Sequence, residues 1–102
     1  MSFTQIIEFS TTRVADVDAL LDQWLERTQG KRTATRGVQT RDRDRANTYV
    51  QIVEFPSHAA AMANSSHPAT ATFAEQLRTI CQANIAFCNL DVQTAAHLTA
   101  LP

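Results

Sequence analysis

Along this chain segments of strand character give way to a helical period of hydrophobicity and return, twice over. Phe3 to Ser10 reads as a strand. From Asp16 to Gln29, residues Val17, Leu20, Leu21, Trp24, Leu25 and Thr28 recur at i, i+3, i+4 spacing, which predicts an amphipathic helix with one apolar side. Gly30 is expected to end it in the left-handed conformation, with Lys31 and Arg32 near the negative end of the helix dipole. β-branched and aromatic residues predict strands over 33–41 and 48–55, joined by the charged turn Asp42-Arg43-Asp44-Arg45-Ala46-Asn47. A second helix opens after Pro56, with Ser57 as its N-cap. Asn64-Ser65-Ser66-His67-Pro68 interrupts it, because proline lacks the amide donor and clashes with the turn before it, yet sits well at the first position of a new helix. Phe73, Leu77, Ile80 and Cys81 then share one face, Ile85 to Val92 reads as the last strand, and 94–102 is a tail of small residues.

The pentapeptide Gln5-Ile6-Ile7-Glu8-Phe9 returns as Gln51-Ile52-Val53-Glu54-Phe55, and each copy precedes a helix. The order β-α-β-β-α-β is the split arrangement of ferredoxin-like α+β folds, a four-stranded antiparallel sheet whose halves are related by a pseudo-two-fold. Residues 1–93 are expected to form one such domain. Reading the repeat as two central strands side by side in parallel predicts that Gln5 and Gln51, Glu8 and Glu54, and Phe9 and Phe55 are neighbours in pairs. Alternation puts Ile6, Glu8, Val50, Ile52 and Glu54 on one face, and Gln5, Ile7, Phe9, Tyr49, Gln51, Val53 and Phe55 on the other. Both faces are about half apolar. Two helices cover only one face of such a sheet, so the second is expected to associate.

Charge narrows the partners. Nine Lys and Arg oppose ten Asp and Glu, a formal net charge of −1 that gives no attraction toward nucleic acid or an anionic membrane. The hairpin tip, Arg41 to Arg45, carries its own aspartates and no aromatics for base stacking, so it reads as a solvated turn. The first residues lack a basic region and a long apolar run, which implies neither a signal peptide nor a spanning helix and points to the cytoplasm. Cys81 and Cys88 are expected to be reduced thiols of the core. With only Gly30 and Gly37, the chain has no glycine-rich phosphate loop.

With these elements in this order, and a half-apolar face left over, the chain resembles the dimeric α/β-barrel superfamily. That group includes antibiotic-biosynthesis-type monooxygenases, stress-responsive barrel proteins and small haem-degrading monooxygenases. The resemblance covers about residues 3 to 93, and the segment from His58 to Phe73, with Met62-Ala63-Asn64-Ser65-Ser66-His67-Pro68 at its centre, is similar to one in actinobacterial members. It implies a homodimer whose two sheets meet face to face in an eight-stranded barrel. It also implies a small-molecule pocket between each sheet and its helices.

Glu8 and Glu54 are the first catalytic candidates, because two adjacent carboxylates share a proton near neutrality unless a cation intervenes. Arg36 is that cation: if the hairpin closes through 42–47 it falls roughly opposite Glu54, and the bland alternative is a structural Arg–Glu cluster. His67 is a candidate base and His58 a weaker one. They are nine positions apart, about 900° of helix, and so point to opposite sides; no metal site is expected. The haem-degrading members pair a histidine with a tryptophan on the same helix and an asparagine on the first strand. Neither is present here, and no cofactor is expected. Trp24 is either core or a flat surface for an aromatic ligand, and its indole N–H needs a partner if buried. Tyr49, Gln5, Gln51, Asn64 and Asn89 complete the binding candidates. Two functions follow from the resemblance: binding of a small hydrophobic or aromatic molecule, or a cofactor-independent monooxygenase or cyclase-like activity on an aromatic, polyketide-like substrate with Glu8, Glu54 or His67 as base.

Overall fold

A computed structural model describes residues 2–96. The elements are β1 (Phe3–Ser10), α1 (Val14–Arg27), β2 (Arg36–Arg41), β3 (Thr48–Phe55), α2 (His58–Ser65), α3 (Pro68–Ile80) and β4 (Ala86–Asp91). They form a ferredoxin-like α+β domain with one four-stranded sheet, ordered β2-β3-β1-β4 and antiparallel throughout. Among the described residues no helix is long and apolar enough to cross a membrane. Of the expected tail, residues 97–102 lie outside the described residues.

Local chemistry sets the boundaries. Thr11, fully buried, accepts a hydrogen bond from the Arg13 amide at 3.0 Å and donates its hydroxyl to the Ile80 carbonyl at 2.6 Å, tying the start of α1 to the end of α3. The Thr28 hydroxyl donates to the Trp24 carbonyl at 2.7 Å, and Gly30 then takes φ +77°, the left-handed turn expected there. Asn47, at φ 56°, closes the β2–β3 hairpin; asparagine tolerates this conformation better than most residues. Ser57 caps α2, its hydroxyl oxygen accepting from the Ala60 amide at 3.0 Å. The predicted break is a full one. Pro68 begins α3, and His67 caps it through Nδ1, which accepts from the Ala69 amide at 3.0 Å.

The central strand pair corrects one expectation. β1 and β3 run antiparallel, with Ile6 opposite Ile52, Gln5 opposite Val53 and Ile7 opposite Gln51. The pseudo-two-fold therefore passes between Ile6 and Ile52, and such an axis reverses strand direction. Glu8 faces Val50 and Glu54 faces Thr4, so the two glutamates stand at opposite ends of the pair. Four residues at about 3.3 Å each put them about 13 Å apart along the sheet. Neither Gln5 with Gln51 nor Phe9 with Phe55 is paired. The assignment of residues to faces is unaffected, because directly opposed residues share a face in either direction.

The helices cover the face carrying Phe3, Gln5, Ile7 and Phe9. The apolar core on that side is divided: Phe3, Phe55 and Ala61 at one end, and Phe9, Val17 and Leu77, with Leu21 and Phe73 against them, at the other. Burying a phenylalanine contributes about 1.5–3 kcal/mol, so each end is anchored by its own aromatic residues. Between the clusters the sheet presents Gln5 and Gln51. The opposite face carries Ile6, Val38, Val50 and Ile52 at its centre, with Cys88 and Leu90 exposed along β4.

Candidate functional site

The gap between the two core clusters is a cavity of about 620 Å³, floored by the sheet and walled by α1 and α3. Its surface is mainly apolar, with Ile7 and Val53 from the sheet, Leu21 and Trp24 from α1, and Phe73 and Leu77 from α3. The Arg32 guanidinium lies 5.7 Å from the centre of the Trp24 ring, within reach of the electron-rich face.

Two chains of hydrogen bonds end at this cavity. In one, the Trp24 indole N–H donates to the Thr70 hydroxyl at 2.9 Å, and that hydroxyl donates to Asn64 Oδ1 at 3.4 Å. Indole nitrogen is a donor only, which fixes the direction of the first of these bonds. The last turn of α2 places Asn64, and the first turn of α3 places Thr70; the break at Pro68 brings them together. In the other, Gln39 Nε2 donates to the exposed Asp18 carboxylate at 3.0 Å, and Gln51 Nε2 donates to Gln39 Oε1 at 3.0 Å. Gln39 and Gln51 face each other across β2 and β3. Gln5 and Asn89, opposed on β1 and β4, bond at 3.1 Å through Gln5 Nε2 and Asn89 Oδ1. Every fully enclosed side-chain nitrogen or oxygen among the described residues has a partner.

The structure sorts the sequence candidates by position. Trp24, Gln51 and Asn64 line the cavity, and Arg36 reaches its edge at β2. Asn89 stands beside it through Gln5. Tyr49 stacks on Phe9 with ring centres 5.8 Å apart, inside the second core cluster. Glu8 and Glu54 are on the other face of the sheet, each with its own arginine. Glu8 takes a two-pronged contact from Arg45 at 2.7 and 3.2 Å, which holds its carboxyl below the usual range. Arg45 also donates to Asp42 at 2.8 Å, and its guanidinium is held charged by both carboxylates. Glu54 meets Arg36, its direct partner across the sheet, at 3.4 Å. The expected Arg36–Glu54 contact is therefore present, but the shared-proton argument for a glutamate pair ends with the separation. His67 uses Nδ1 as a helix cap, and His58 packs on Phe3 with ring centres 5.1 Å apart. Burial pushes the Cys81 thiol up, as suits a core residue, whereas Cys88, expected in the core, is exposed; both are free.

Sequence reading missed Arg32, Gln39, Thr70 and Asp18. Gln39 was within reach, since the hairpin closure that sets Arg36 against Glu54 also sets Gln39 against Gln51. Thr70 is the partner that the Trp24 indole required, but only the packing of α1 on α3 identifies it. Among the described residues no cluster of three or more His, Cys, Asp or Glu side chains is placed to hold a metal ion.

No protein-family model matches the chain, and no curated protein matches it. Solved structures do. SnoaB from Streptomyces nogalater, described as a cofactor-independent oxygenase, is 18% identical over 92% of this chain and 95% of its own, with a TM-score of 0.76. Rv0793 from Mycobacterium tuberculosis is 16% identical over 95% and 100%, with a TM-score of 0.78. A protein described as an antibiotic biosynthesis monooxygenase is 15% identical over 92% and 100%, at 0.73. The chain thus has the ferredoxin-like fold of the antibiotic-biosynthesis-monooxygenase structures over nearly its whole length.

Proposed function

We propose that this protein binds a small, mostly apolar aromatic molecule in the cavity between sheet and helices, as a homodimer closed through the open sheet face. The cavity carries the reading. Its volume is within the range of small-molecule sites, about 300–1,000 Å³, and its apolar walls hold a few placed amides. Trp24 offers a flat surface there, and Asn64 and Gln51 offer polar contacts. The second sheet face supports the dimer, since its apolar centre is flanked by charges already neutralised within the chain. A cytoplasmic location fits the two free thiols.

The chain has one tryptophan, and it lines the cavity, so its fluorescence reports occupancy directly. Titration with 2-acetylnaphthalene should quench it saturably, with one site per chain. Ala74→Phe fills the cavity from α3 and should abolish the effect. Linear, unsaturable quenching that is the same in both proteins would remove the reading.

A second reading, a cofactor-independent monooxygenase, draws on the likeness to SnoaB. In it a phenolic substrate loses its proton to water, with Arg32 and Asn64 stabilising the oxyanion; molecular oxygen oxidises the ring to a quinone, one oxygen atom entering the ring and the other leaving as water. Glu8, Glu54 and His67 lie outside the cavity and would act only on a substrate that reached beyond it. Oxygen uptake on adding a hydroxylated aromatic ketone, absent in Ala74→Phe, is the expected result. No uptake alongside normal binding leaves binding as the function.

A further inference from the structure

One of the two hydrogen-bond chains at the cavity has a fixed direction, and that direction specifies what the ligand must offer. An amide side chain can ordinarily turn over, exchanging its donor and acceptor ends. Asn64 keeps that freedom, because Thr70 Oγ1 has two lone pairs and can accept from Asn64 Nδ2 as well as from Trp24 Nε1. The other chain is anchored at its far end by a group that cannot reverse. The Asp18 carboxylate only accepts, so Gln39 must turn its nitrogen toward Asp18 and its oxygen toward Gln51. Gln51 in turn commits its nitrogen to Gln39, and its Oε1 remains. Gln51 is 5% exposed, and its residual accessible surface opens on the cavity it lines. The Gln5–Asn89 pair lacks such an anchor and can reverse as a unit.

We propose that the cavity recognises an aromatic molecule carrying a hydroxyl or other hydrogen-bond donor, directed to Gln51 Oε1. The proposal rests on the cavity being a binding site and adds the polarity of the ligand to it. An ortho-hydroxy ketone, which satisfies its own donor internally, fits less well. Asp18 is a positioning residue in this scheme, on the exposed side of α1 and outside the cavity lining.

Calorimetric titration with four matched probes tests this: 6-acetyl-2-naphthol, its methyl ether, 6-ethyl-2-naphthol, and 2-ethyl-6-methoxynaphthalene. They have similar size and carry both groups, the acceptor alone, the donor alone, or neither. Loss of the hydroxyl proton should weaken binding about tenfold in the acetyl pair and in the ethyl pair alike, as one hydrogen bond in a dry site is expected to. In Asp18→Asn, whose amide can either donate or accept, Gln39 and Gln51 are released to turn over. The preference for each naphthol over its methyl ether should then fall to about threefold or less. Equal affinity of each naphthol and its methyl ether would overturn the donor preference and leave the cavity reading standing. An unchanged naphthol preference in Asp18→Asn would likewise overturn it, and no binding of any probe would remove both.

Discussion

Removing the Thr70 hydroxyl tests whether the indole of Trp24 is held as described. Thr70→Val keeps the shape of the side chain and deletes the acceptor for Trp24 Nε1, together with the donor to Asn64. The second bond is long at 3.4 Å and contributes little. The first, at 2.9 Å, is sound, and an unsatisfied buried donor costs about 1–3 kcal/mol. Trp24 is only half-buried, and water in the cavity can reach the orphaned N–H, so the low end applies, about 1 kcal/mol. In a domain of this size that lowers Tm by about 4–8 °C. The assignment to the hydrogen bond is made by a double-mutant cycle with Trp24→Phe, which deletes the N–H from the other side. Urea unfolding followed by far-ultraviolet circular dichroism is the suitable assay, because Trp24→Phe removes the only tryptophan. Protein concentration must be equal throughout, since the proposed subunit association would contribute to the apparent stability. The coupling energy should be about 1 kcal/mol. A value below about 0.3 kcal/mol, the scatter of independent sites, would refute the bond as a stabilising contact.

Three other outcomes are expected. Ile52→Glu puts a charge at the centre of the open sheet face and should convert a dimer to monomer at micromolar concentration; a monodisperse monomer of the unaltered protein in light scattering would end the dimer proposal. The carboxyl of Glu8 is held low by Arg45, and that of Asp42 by the Asp44 backbone amide and then by Arg45, so their stabilisation is complete above the ordinary carboxylate range and is lost as pH falls through their depressed values. Urea midpoints of the unaltered protein and Arg45→Met should therefore differ at pH 7 and converge in acid, and a difference independent of pH would contradict the contact. Gly30→Ala meets no atom within 4 Å, but at φ +77° it should destabilise by about 1 kcal/mol through backbone strain, seen as a lower urea midpoint; a rise would contradict the left-handed turn.

The fold was legible because its signals are local. Ser57, Pro68 and Gly30 mark helix ends by their own chemistry, and alternation along β1 and β3 assigns each side chain to a face whichever way the strands run. Strand direction is not a local property, and there the repeat misled. Identical peptides invite a picture of translation, which would set Glu8 beside Glu54, whereas the two-fold of this topology sends one to each end of the sheet. Arg36 was placed correctly because a hairpin joins it to Glu54 through six residues of turn. Arg45, in that turn, found Glu8 on a strand distant in sequence, and no spacing rule relates them. The cavity was harder still. Trp24, Gln51 and Asn64 could be named as candidates, but their geometry depends on Thr70 and Gln39, and on the packing of α1 against α3.

The two halves of the molecule share a strand motif yet differ in their helices, and the difference has an engineering consequence. The first half has an unbroken helix, α1, whose inner side fills the core at Val17 and walls the cavity at Leu21 and Trp24. The second half divides its helical stretch at Pro68, and this division gives Asn64 and Thr70 their places at the cavity. The proposed cavity can therefore be reshaped through the short span from Asn64 to Thr70, where a change of loop length or cap residue redraws the recess while the strand motifs continue to specify the sheet. A library varied across that span should retain folding far more often than one varied over the same number of positions in α1.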